Sequence, residues 1–335
     1  MTKLTYNNHT YVCNENESVL DILQGHGLAV PSSCRSGLCQ TCMMQAIKGI
    51  PPAAAQKGLK DTLKAQNYFL ACCCNPVEDL DVVLPNTGTA RIKTTVANIN
   101  HLSHDIVGVN LRCEHPIEYK AGQFINLFKD NRLARSYSLA SVPTQDKFLT
   151  LHVRKVPEGR MSGWIHNELN SGDSIEISMP TGDCFYMPNK PDQPIMLIGT
   201  GSGLAPLYGI IRDALLQGHS GPIRLYHGNR YLSDLYLVDE LRKLAGQYAN
   251  FSYTPCISDE PVTDSHIRYG QVLDVALADN PKLAGWRIYL CGNPDMVKAA
   301  KKKTFMTGAS IKEIYADAFT PAINPTPMVA GIGAV

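Results

Sequence analysis

Cysteines are the residues whose types and spacing most directly suggest chemistry in this sequence. Of the 11 cysteines in 335 residues, Cys34, Cys39 and Cys42 lie within the stretch PSSCRSGLCQTC, and residues 72–74 are three consecutive cysteines. The N-terminus lacks the basic patch and apolar run of a secretion signal, so we expect the chain to be cytoplasmic. Because a reducing cytoplasm disfavours disulfides, clustered cysteines indicate metal ligands and isolated cysteines indicate small core residues.

The first three cysteines have the C-x4-C-x2-C spacing of plant-type [2Fe-2S] proteins, which require one further, distant cysteine. The 29 residues between Cys42 and Cys72 resemble the corresponding interval of plant-type ferredoxins, and this selects the first cysteine of the triplet. In an extended segment neighbouring side chains point to opposite sides, so we expect Cys73 to face away from the cluster, with Cys74 as a spare. A zinc site is the alternative, although zinc motifs normally pair two C-x2-C units. The predicted cluster ligands are Cys34, Cys39, Cys42 and Cys72.

The residues around these cysteines predict a small mixed domain. KLTYNN and HTYVCN are typical of a hairpin, Ser18 can cap a helix over residues 18–26, and residues 79–85 predict a closing strand. By fold, residues 1–85 resemble a β-grasp ferredoxin. They carry six Lys or Arg and seven Asp or Glu, whereas freely diffusing ferredoxins of this type are usually strongly acidic. This balance suits a tethered module, in which linkage replaces diffusion.

A second domain is predicted at residues 91–190, after a short flexible connector at 86–90. Its short strands without intervening helices indicate an antiparallel β-barrel. RSYSLAS resembles the R-x-Y-S flavin motif of the ferredoxin-NADP reductase superfamily, in which Arg135 would bind a phosphate, Tyr137 would stack on the isoalloxazine and Ser138 would hydrogen-bond near flavin N5. LHVRKVPEGRMSGWI resembles the second flavin segment, where a helix N-terminus would meet the pyrophosphate. The predicted flavin contacts are Arg135, Ser136, Tyr137, Ser138, His152, Val153, Arg154, Gly159, Met161 and Ser162.

Residues 191–319 change to strands that alternate with helices, as in a Rossmann-like α/β domain. PIMLIGTGSGLAPLYGIIRDALLQG predicts a strand, a glycine-rich turn that can approach a pyrophosphate, and a helix. YLCGNPDM resembles the C-G-x-P-x-M signature, which would place Cys291 beside the nicotinamide. Phe319 matches a family aromatic that packs on the flavin, and residues 320–335 form an uncharged tail. The predicted contacts of the nucleotide and the adjoining flavin face are Gly199, Thr200, Gly201, Ser202, Gly203, Cys291, Gly292, Asn293 and Phe319.

These three segments, in this order, resemble the reductase component of bacterial multicomponent oxygenases over residues 1 to about 319. The resemblance implies a multidomain α+β protein that binds a [2Fe-2S] cluster, FAD and NADH. Asn229, Arg230 and Asp234 follow the second strand of the nucleotide domain and leave NADPH open, because acidic groups favour NADH and basic groups favour NADPH. The family resemblance favours NADH.

The resemblance also implies a path for electrons. Hydride would pass from NADH near Cys291 to flavin N5 near Ser138, and single electrons would then reach the cluster and a separate oxygenase or hydroxylase. A reductase for sugar deoxygenation and a non-enzymatic iron-sulfur redox sensor are the alternatives. With 31 basic and 30 acidic side chains, the chain lacks the strong electrostatic field needed to bind nucleic acid or an anionic membrane. We also expect no membrane span.

Overall fold

The computed structural model describes residues 2–14, 16–37, 39–85, 91–130 and 133–320. Three sheets follow one another along this part of the chain. The predicted connector at 86–90 and residues 321–335 of the predicted tail lie outside the described residues. No helix in the described ranges is long and apolar enough to cross a membrane.

The first sheet has five strands in the order β2-β1-β5-β3-β4 and packs against helix α1. Asn7 and Asn8 close the predicted hairpin with positive φ angles of 51° and 63°, which asparagine tolerates better than most residues. The hydroxyl of Ser18 caps α1 by accepting a hydrogen bond from the Asp21 N–H at 3.2 Å. The elements are β1 (Lys3–Tyr6), β2 (His9–Val12), α1 (Val19–Gly25), β3 (Met43–Lys48), α2 (Asp61–Lys64), β4 (Tyr68–Leu70) and β5 (Leu80–Val83).

The second sheet has six antiparallel strands in the order β10-β7-β6-β11-β8-β9. An antiparallel bridge between Leu139 and Leu151 connects its two edge strands, so the sheet closes on itself as a barrel. Apolar side chains from its strands fill the interior, including Val109, Ile125 and Ile177. The elements are β6 (Arg91–His101), β7 (Ile106–Cys113), β8 (Phe124–Phe128), β9 (Ala134–Ser138), β10 (Leu149–Arg154), α3 (Arg160–Asn167) and β11 (Ser174–Ser178).

The third sheet has six parallel strands in the order β15-β14-β13-β12-β16-β17. The chain first winds outward from β12 to β15 and then returns to β16 on the other side of β12. The carboxyl ends of β12 and β16 therefore form the switch point at which open α/β sheets bind ligands. The elements are β12 (Ile195–Thr200), α4 (Leu204–Leu216), β13 (Ile223–Asn229), α5 (Val238–Gln247), β14 (Phe251–Ile257), β15 (Arg268–Tyr269), α6 (Val272–Asp279), β16 (Arg287–Gly292), α7 (Pro294–Met306) and β17 (Ile314–Ala318).

Candidate redox site

The loop between α1 and β3 brings Cys34 and Cys39 together. Arg35, Gly37 and Gln40 have positive φ angles of 53°, 76° and 59°, and the loop turns back on itself so that backbone N–H groups converge. The Cys34 sulfur accepts hydrogen bonds from the N–H groups of Ser36 at 3.4 Å and Cys39 at 3.3 Å. Hydrogen bonds from Ser36, followed by those from Cys39, lower the pKa of Cys34 to about 5. The loop therefore stabilises the thiolate form that binds metal.

The other two predicted ligands form a second pair. The sulfur atoms of Cys42 and Cys72 lie 3.3 Å apart, and the Ala71 N–H donates to the Cys42 carbonyl at 3.0 Å, which fixes the two segments side by side. Within the described ranges, no group of three or more His, Cys, Asp or Glu is arranged to hold a metal ion. Two separate pairs of sulfurs do fit a [2Fe-2S] cluster, because its two irons share four cysteine ligands.

The extended segment assumed for the cysteine triplet is wrong, while the expectation that Cys73 faces away from the cluster stays a prediction. Residues 71–73 form a 3-10 helix instead of an extended segment, so the side chains do not alternate and the Cys72 and Cys73 sulfurs lie 3.7 Å apart. The Cys73 sulfur also lies only 2.9 Å from the position that a Cβ on Gly37 would take. Cys74 is fully buried in the core of the first sheet, and burial raises its pKa to about 12.

Strand β9 carries the predicted flavin motif. The Ser138 hydroxyl is buried and donates a hydrogen bond to Asp317 Oδ2 at 2.6 Å. Arg135 and Ser136 are exposed, and the Ser136 hydroxyl donates to Asn126 Oδ1 at 2.7 Å. Tyr137 lies half-buried on the barrel core, where desolvation raises its pKa. The motif thus presents an exposed guanidinium at one end and a buried hydroxyl at the other.

Arg154 on β10 is a predicted flavin contact that approaches the nucleotide turn. Its Nε donates to Asp105 Oδ2 at 2.6 Å, and its Nη1 lies 3.0 Å from where a Cβ on Gly201 would be. His152 is buried with its Nδ1 3.2 Å from Tyr236 Oη. Burial, with a smaller contribution from His227, lowers the pKa of His152 to about 3. His152 is therefore a neutral group between the barrel and the third sheet.

The start of α3 follows the second predicted flavin segment. Gly159 precedes the helix, and the buried Ser162 hydroxyl accepts a hydrogen bond from the Val156 N–H at 3.1 Å, which holds the preceding loop. Met161 and Val153 are buried in the barrel core. An open cleft of about 560 Å³ adjoins this helix start, and its lining includes His104, Asp105, Lys155, Val156, Pro157, Glu158 and Gly159.

The glycine-rich turn interlocks with the end of β16. A Cβ on Gly203 would lie 2.4 Å from the Cys291 carbonyl oxygen, and a Cβ on Gly292 would lie 2.5 Å from Thr200 Oγ1. The Asn293 N–H donates to Thr200 Oγ1 at 2.9 Å. Only glycine permits backbones to approach this closely. The two predicted nucleotide segments therefore meet at the switch point of the third sheet.

Cys291 lies at this meeting point as a buried, uncharged thiol. It is fully buried, and its sulfur lies 3.9 Å from that of Cys184, which follows β11. Desolvation holds the pKa of Cys291 well above its usual value. The Phe319 N–H donates to the Gly292 carbonyl at 2.8 Å, so the predicted aromatic adjoins the same turn.

Asp317 is a site residue that the sequence reasoning missed. It lies on β17 directly across from Cys291 on β16, and its carboxylate accepts the hydrogen bond from Ser138. Desolvation raises the pKa of Asp317 against the lowering effect of this hydrogen bond. Asp317 thus connects the predicted flavin contact with the predicted nicotinamide contact. Its position two residues before Phe319 was the only local signal for it.

Comparisons with known proteins agree with this order of sites. Residues 4–77 match the model of the 2Fe-2S iron-sulfur cluster binding domain, residues 93–186 that of the oxidoreductase FAD-binding domain, and residues 197–302 that of the oxidoreductase NAD-binding domain. The chain is 36% identical over 324 residues to the ferredoxin–NAD(P)+ reductase component of a naphthalene 1,2-dioxygenase system from Pseudomonas putida, covering 94% of this chain and 97% of the relative. The chain belongs to the family of oxygenase reductase components.

Other relatives match this reductase over more than nine tenths of its length. The reductase subunit of an aromatic O-demethylase from an Amycolatopsis species is 35% identical over 324 residues, covering 92% of this chain and 96% of the relative. The crystal structure of an Amycolatopsis cytochrome P450 reductase superposes with a TM-score of 0.68 at 32% identity, covering 96% of this chain and 99% of that one. The multidomain α+β architecture and the three cofactor-binding domains are thus confirmed.

The structure also bears on the residues predicted to discriminate between NADH and NADPH in this reductase. The Asp234 carboxylate is buried and accepts the Tyr231 N–H at 3.2 Å as part of a capping box. It is therefore occupied by the protein's own backbone. Arg230 is exposed, with its Nε 3.9 Å from Asp259 Oδ2. Asn229 Nδ2 lies 3.1 Å from His227 Nε2, so Arg230 is the one of the three whose side chain is exposed.

Proposed function

We propose that this reductase takes hydride from NADH and passes electrons singly to an oxygenase or hydroxylase component through FAD and a [2Fe-2S] cluster. The observation that carries the proposal is the convergence of Ser138, Asp317 and Cys291, contributed by the barrel and by two strands of the third sheet. Relatives named as reductase components of naphthalene 1,2-dioxygenase and phenol 2-monooxygenase support the class of acceptor.

The flavin would lie along β9 and the start of α3. Arg135 is exposed and can bind a phosphate, Tyr137 can cover the ring system, and the N–H groups at the start of α3 can meet the pyrophosphate. When bound, the flavin accepts two electrons together and releases them one at a time. The protein's part is to orient it and to tune its surroundings.

Ser138, Asp317 and Cys291 would shape the place of hydride transfer. Because the Ser138 hydroxyl donates to Asp317 Oδ2, its lone pairs would be available to accept a hydrogen bond from the N–H that a reduced flavin carries at N5. The small, protonated Cys291 thiol would bring no charge to a nicotinamide bound beside it. These residues would orient the two rings, and hydride transfer between them requires no protein nucleophile.

Cys34, Cys39, Cys42 and Cys72 would hold the cluster. The backbone N–H groups directed at the Cys34 sulfur are the kind of donor that tunes a cluster's reduction potential. Exposure of Cys34 and Cys39 at the surface leaves this side of the first domain accessible to an acceptor protein.

We propose the domain boundaries predicted from the sequence. Residues 1–85 form the cluster domain, 91–190 the FAD domain and 191–319 the nucleotide domain, with a connector at 86–90 and a tail at 320–335. The limits of the three sheets support these boundaries.

We further infer a cytoplasmic location. All eleven cysteines are free thiols, which suits a reducing compartment.

An anaerobic titration with NADH, followed by visible absorbance, tests the proposed function. The flavin and cluster bands should bleach together, because electrons redistribute between the two centres. Cytochrome c reduction would then report release of single electrons to an outside protein. If neither NADH nor NADPH changed either band, the chain would not be a reductase. That result is the one expected of a non-enzymatic iron-sulfur sensor. Co-purification from the native cell would identify the acceptor.

A further inference from the structure

A polar contact at the start of α2 joins the first domain to the other two. Lys60 Nζ lies 3.1 Å from Asp183 Oδ2, and it also lies 4.8 Å from the centroid of the Tyr315 ring on β17. Asn189 Nδ2 donates to Asp61 Oδ2 at 3.1 Å. This segment therefore contacts both the chain that follows the barrel and the sheet of the nucleotide domain.

A pair of amide side chains extends the contact onto the barrel. Gln66 Nε2 donates to the Gly182 carbonyl at 3.1 Å, and Gln66 Oε1 accepts from Gln123 Nε2 at 3.0 Å. Gln123 is buried, and a buried amide requires partners in fixed directions. Together with the Lys60–Asp183 ion pair, these hydrogen bonds fix the orientation of the first domain relative to the barrel, in addition to holding the two in contact.

The contact lies between the segments that carry the two redox centres. On one side, α2 leads through β4 to the cluster ligand Cys72. On the other side, the Gln123 carbonyl accepts the Leu139 N–H at 2.7 Å, and Leu139 directly follows Ser138. The docked residues Gln66 and Gln123 are therefore connected through the backbone to the cluster ligand Cys72 on one side and to Ser138 on the other.

We propose that Lys60 and Gln66 are positioning residues for electron transfer within the molecule. They hold the [2Fe-2S] domain in the orientation in which the cluster receives electrons from the flavin. This inference rests on the proposed function: NADH supplies two electrons and a proton as hydride, the flavin reduces the cluster by one electron at a time, and the protons pass to water. A covalent tether supplies a high effective concentration, whereas the docked contact supplies the orientation.

Anaerobic stopped-flow spectroscopy of the holoenzyme tests the proposal with Lys60→Glu, which places like charges opposite each other at Asp183. Flavin reduction by NADH should keep its wild-type rate. Cluster bleaching should slow by roughly tenfold, because the transfer rate scales with the docked fraction of molecules. Lys57→Glu makes the same charge change at an exposed residue three positions earlier and should behave as wild type. The charge swap Lys60→Glu with Asp183→Lys should restore cluster bleaching.

Carbodiimide cross-linking followed by mass spectrometry gives a readout that does not depend on activity. The wild-type holoenzyme should yield a zero-length Lys60–Asp183 cross-link. Absence of that cross-link, or equal rates of cluster bleaching in Lys60→Glu and Lys57→Glu, would overturn the positioning role while leaving the reductase function intact. Failure of the charge swap to restore the rate would also overturn it. Failure of NADH to reduce the wild-type flavin would instead contradict the proposed function.

Discussion

At the scale of single residues, the proposed hydride-transfer site combines two residues predicted from motifs with one residue that the sequence did not reveal. Ser138 and Cys291 each lie in a motif with a recognisable neighbourhood. Asp317 does not, because its role comes from the contact between a barrel strand and β17, which are 179 residues apart in sequence at this hydrogen bond. A local pattern contains no information about such a pairing. The same limit explains why the motifs predict contacts to both rings but not the carboxylate that joins them.

The choice of Cys72 among three consecutive cysteines leads to the first prediction. Cys72→Ser should lose the cluster, measured as iron content and as the visible and electron paramagnetic resonance signals, because an oxygen ligand suits iron-sulfur chemistry less well than a thiolate. Flavin reduction by NADH should persist. Cys73→Ser is the matched control and should keep its cluster, although its sulfur lies 3.7 Å from that of Cys72. The reverse result would reassign the ligand.

Asp317→Asn tests the carboxylate in the hydride-transfer site. The substitution keeps the shape of the side chain but removes the charge that strengthens the hydrogen bond from Ser138. Single-turnover flavin reduction by NADH should slow by roughly 10- to 100-fold, which corresponds to the about 1.5–3 kcal/mol that a hydrogen bond to a charged group contributes. FAD content should not change. Asp274→Asn, at an exposed carboxylate that pairs with Lys303 in the same domain, should keep the wild-type rate.

At the scale of elements, composition and turn residues predicted the succession of strands and helices well. Glycines predicted the turn after β12, and alternation of strand and helix predicted a parallel sheet. The conformation of the cysteine triplet was harder to predict. Residues 71–73 form a 3-10 helix, and the Cys74 N–H donates to the Ala71 carbonyl at 3.4 Å. Such a short turn is decided by the packing of neighbouring segments, and its sequence does not distinguish it from a strand end.

Gly203→Ala tests the close approach between the glycine-rich turn and β16. The added Cβ would lie 2.4 Å from the Cys291 carbonyl oxygen, so one backbone must move, at a cost of about 1–3 kcal/mol. The melting temperature should fall, and KM for NADH should rise roughly tenfold because the pyrophosphate site is displaced. Gly246→Ala in α5 has nothing within 4 Å of the added Cβ. That variant should be slightly stabilised, because alanine favours helices. Equal behaviour of the two variants would contradict the tight packing.

At the scale of the whole molecule, buried histidines occupy the junction between the barrel and the third sheet. His152 of β10 contacts Tyr236, whose ring also packs edge-on against His227 of β13. Burial lowers the pKa of His227 to about 4 and that of His152 to about 3. Both groups are therefore neutral at physiological pH, and charging either one would disrupt the junction.

The two lowered pKa values contribute to the acid sensitivity of the fold. The stabilisation contributed by neutral His152 and His227 is complete above about pH 6.5, the pKa of histidine in the unfolded chain. It is lost as pH falls towards 4 and then 3, because the unfolded chain binds protons that the folded chain excludes. Each group contributes a slope of up to about 1.4 kcal/mol per pH unit. The melting temperature should fall between pH 7.5 and 5, less steeply in His227→Gln. His266→Gln, at an exposed position, should follow the wild type.

The linkage of all three centres in one chain makes the transfer from flavin to cluster intramolecular. The whole chain has a formal net charge of +1 and the cluster-bearing residues 1–85 are near neutral, so long-range steering between separate molecules is weak. A tether gives an effective concentration in the millimolar range, far above that of a dilute protein solution. Mixing reduced and oxidised molecules should therefore be a slow route compared with transfer inside each molecule.

Single-turnover measurements at different protein concentrations separate the two routes. With NADH in excess, the rate constant of cluster bleaching should stay constant over a roughly hundredfold range of dilution, since neither partner must diffuse to the other. Lys60→Glu should lower this constant without making it depend on concentration, because the tether remains. A rate constant that rose in proportion to protein concentration would mean that each cluster is reduced by the flavin of a neighbouring molecule, and the contacts at Lys60 and Gln66 would then have no part in the transfer.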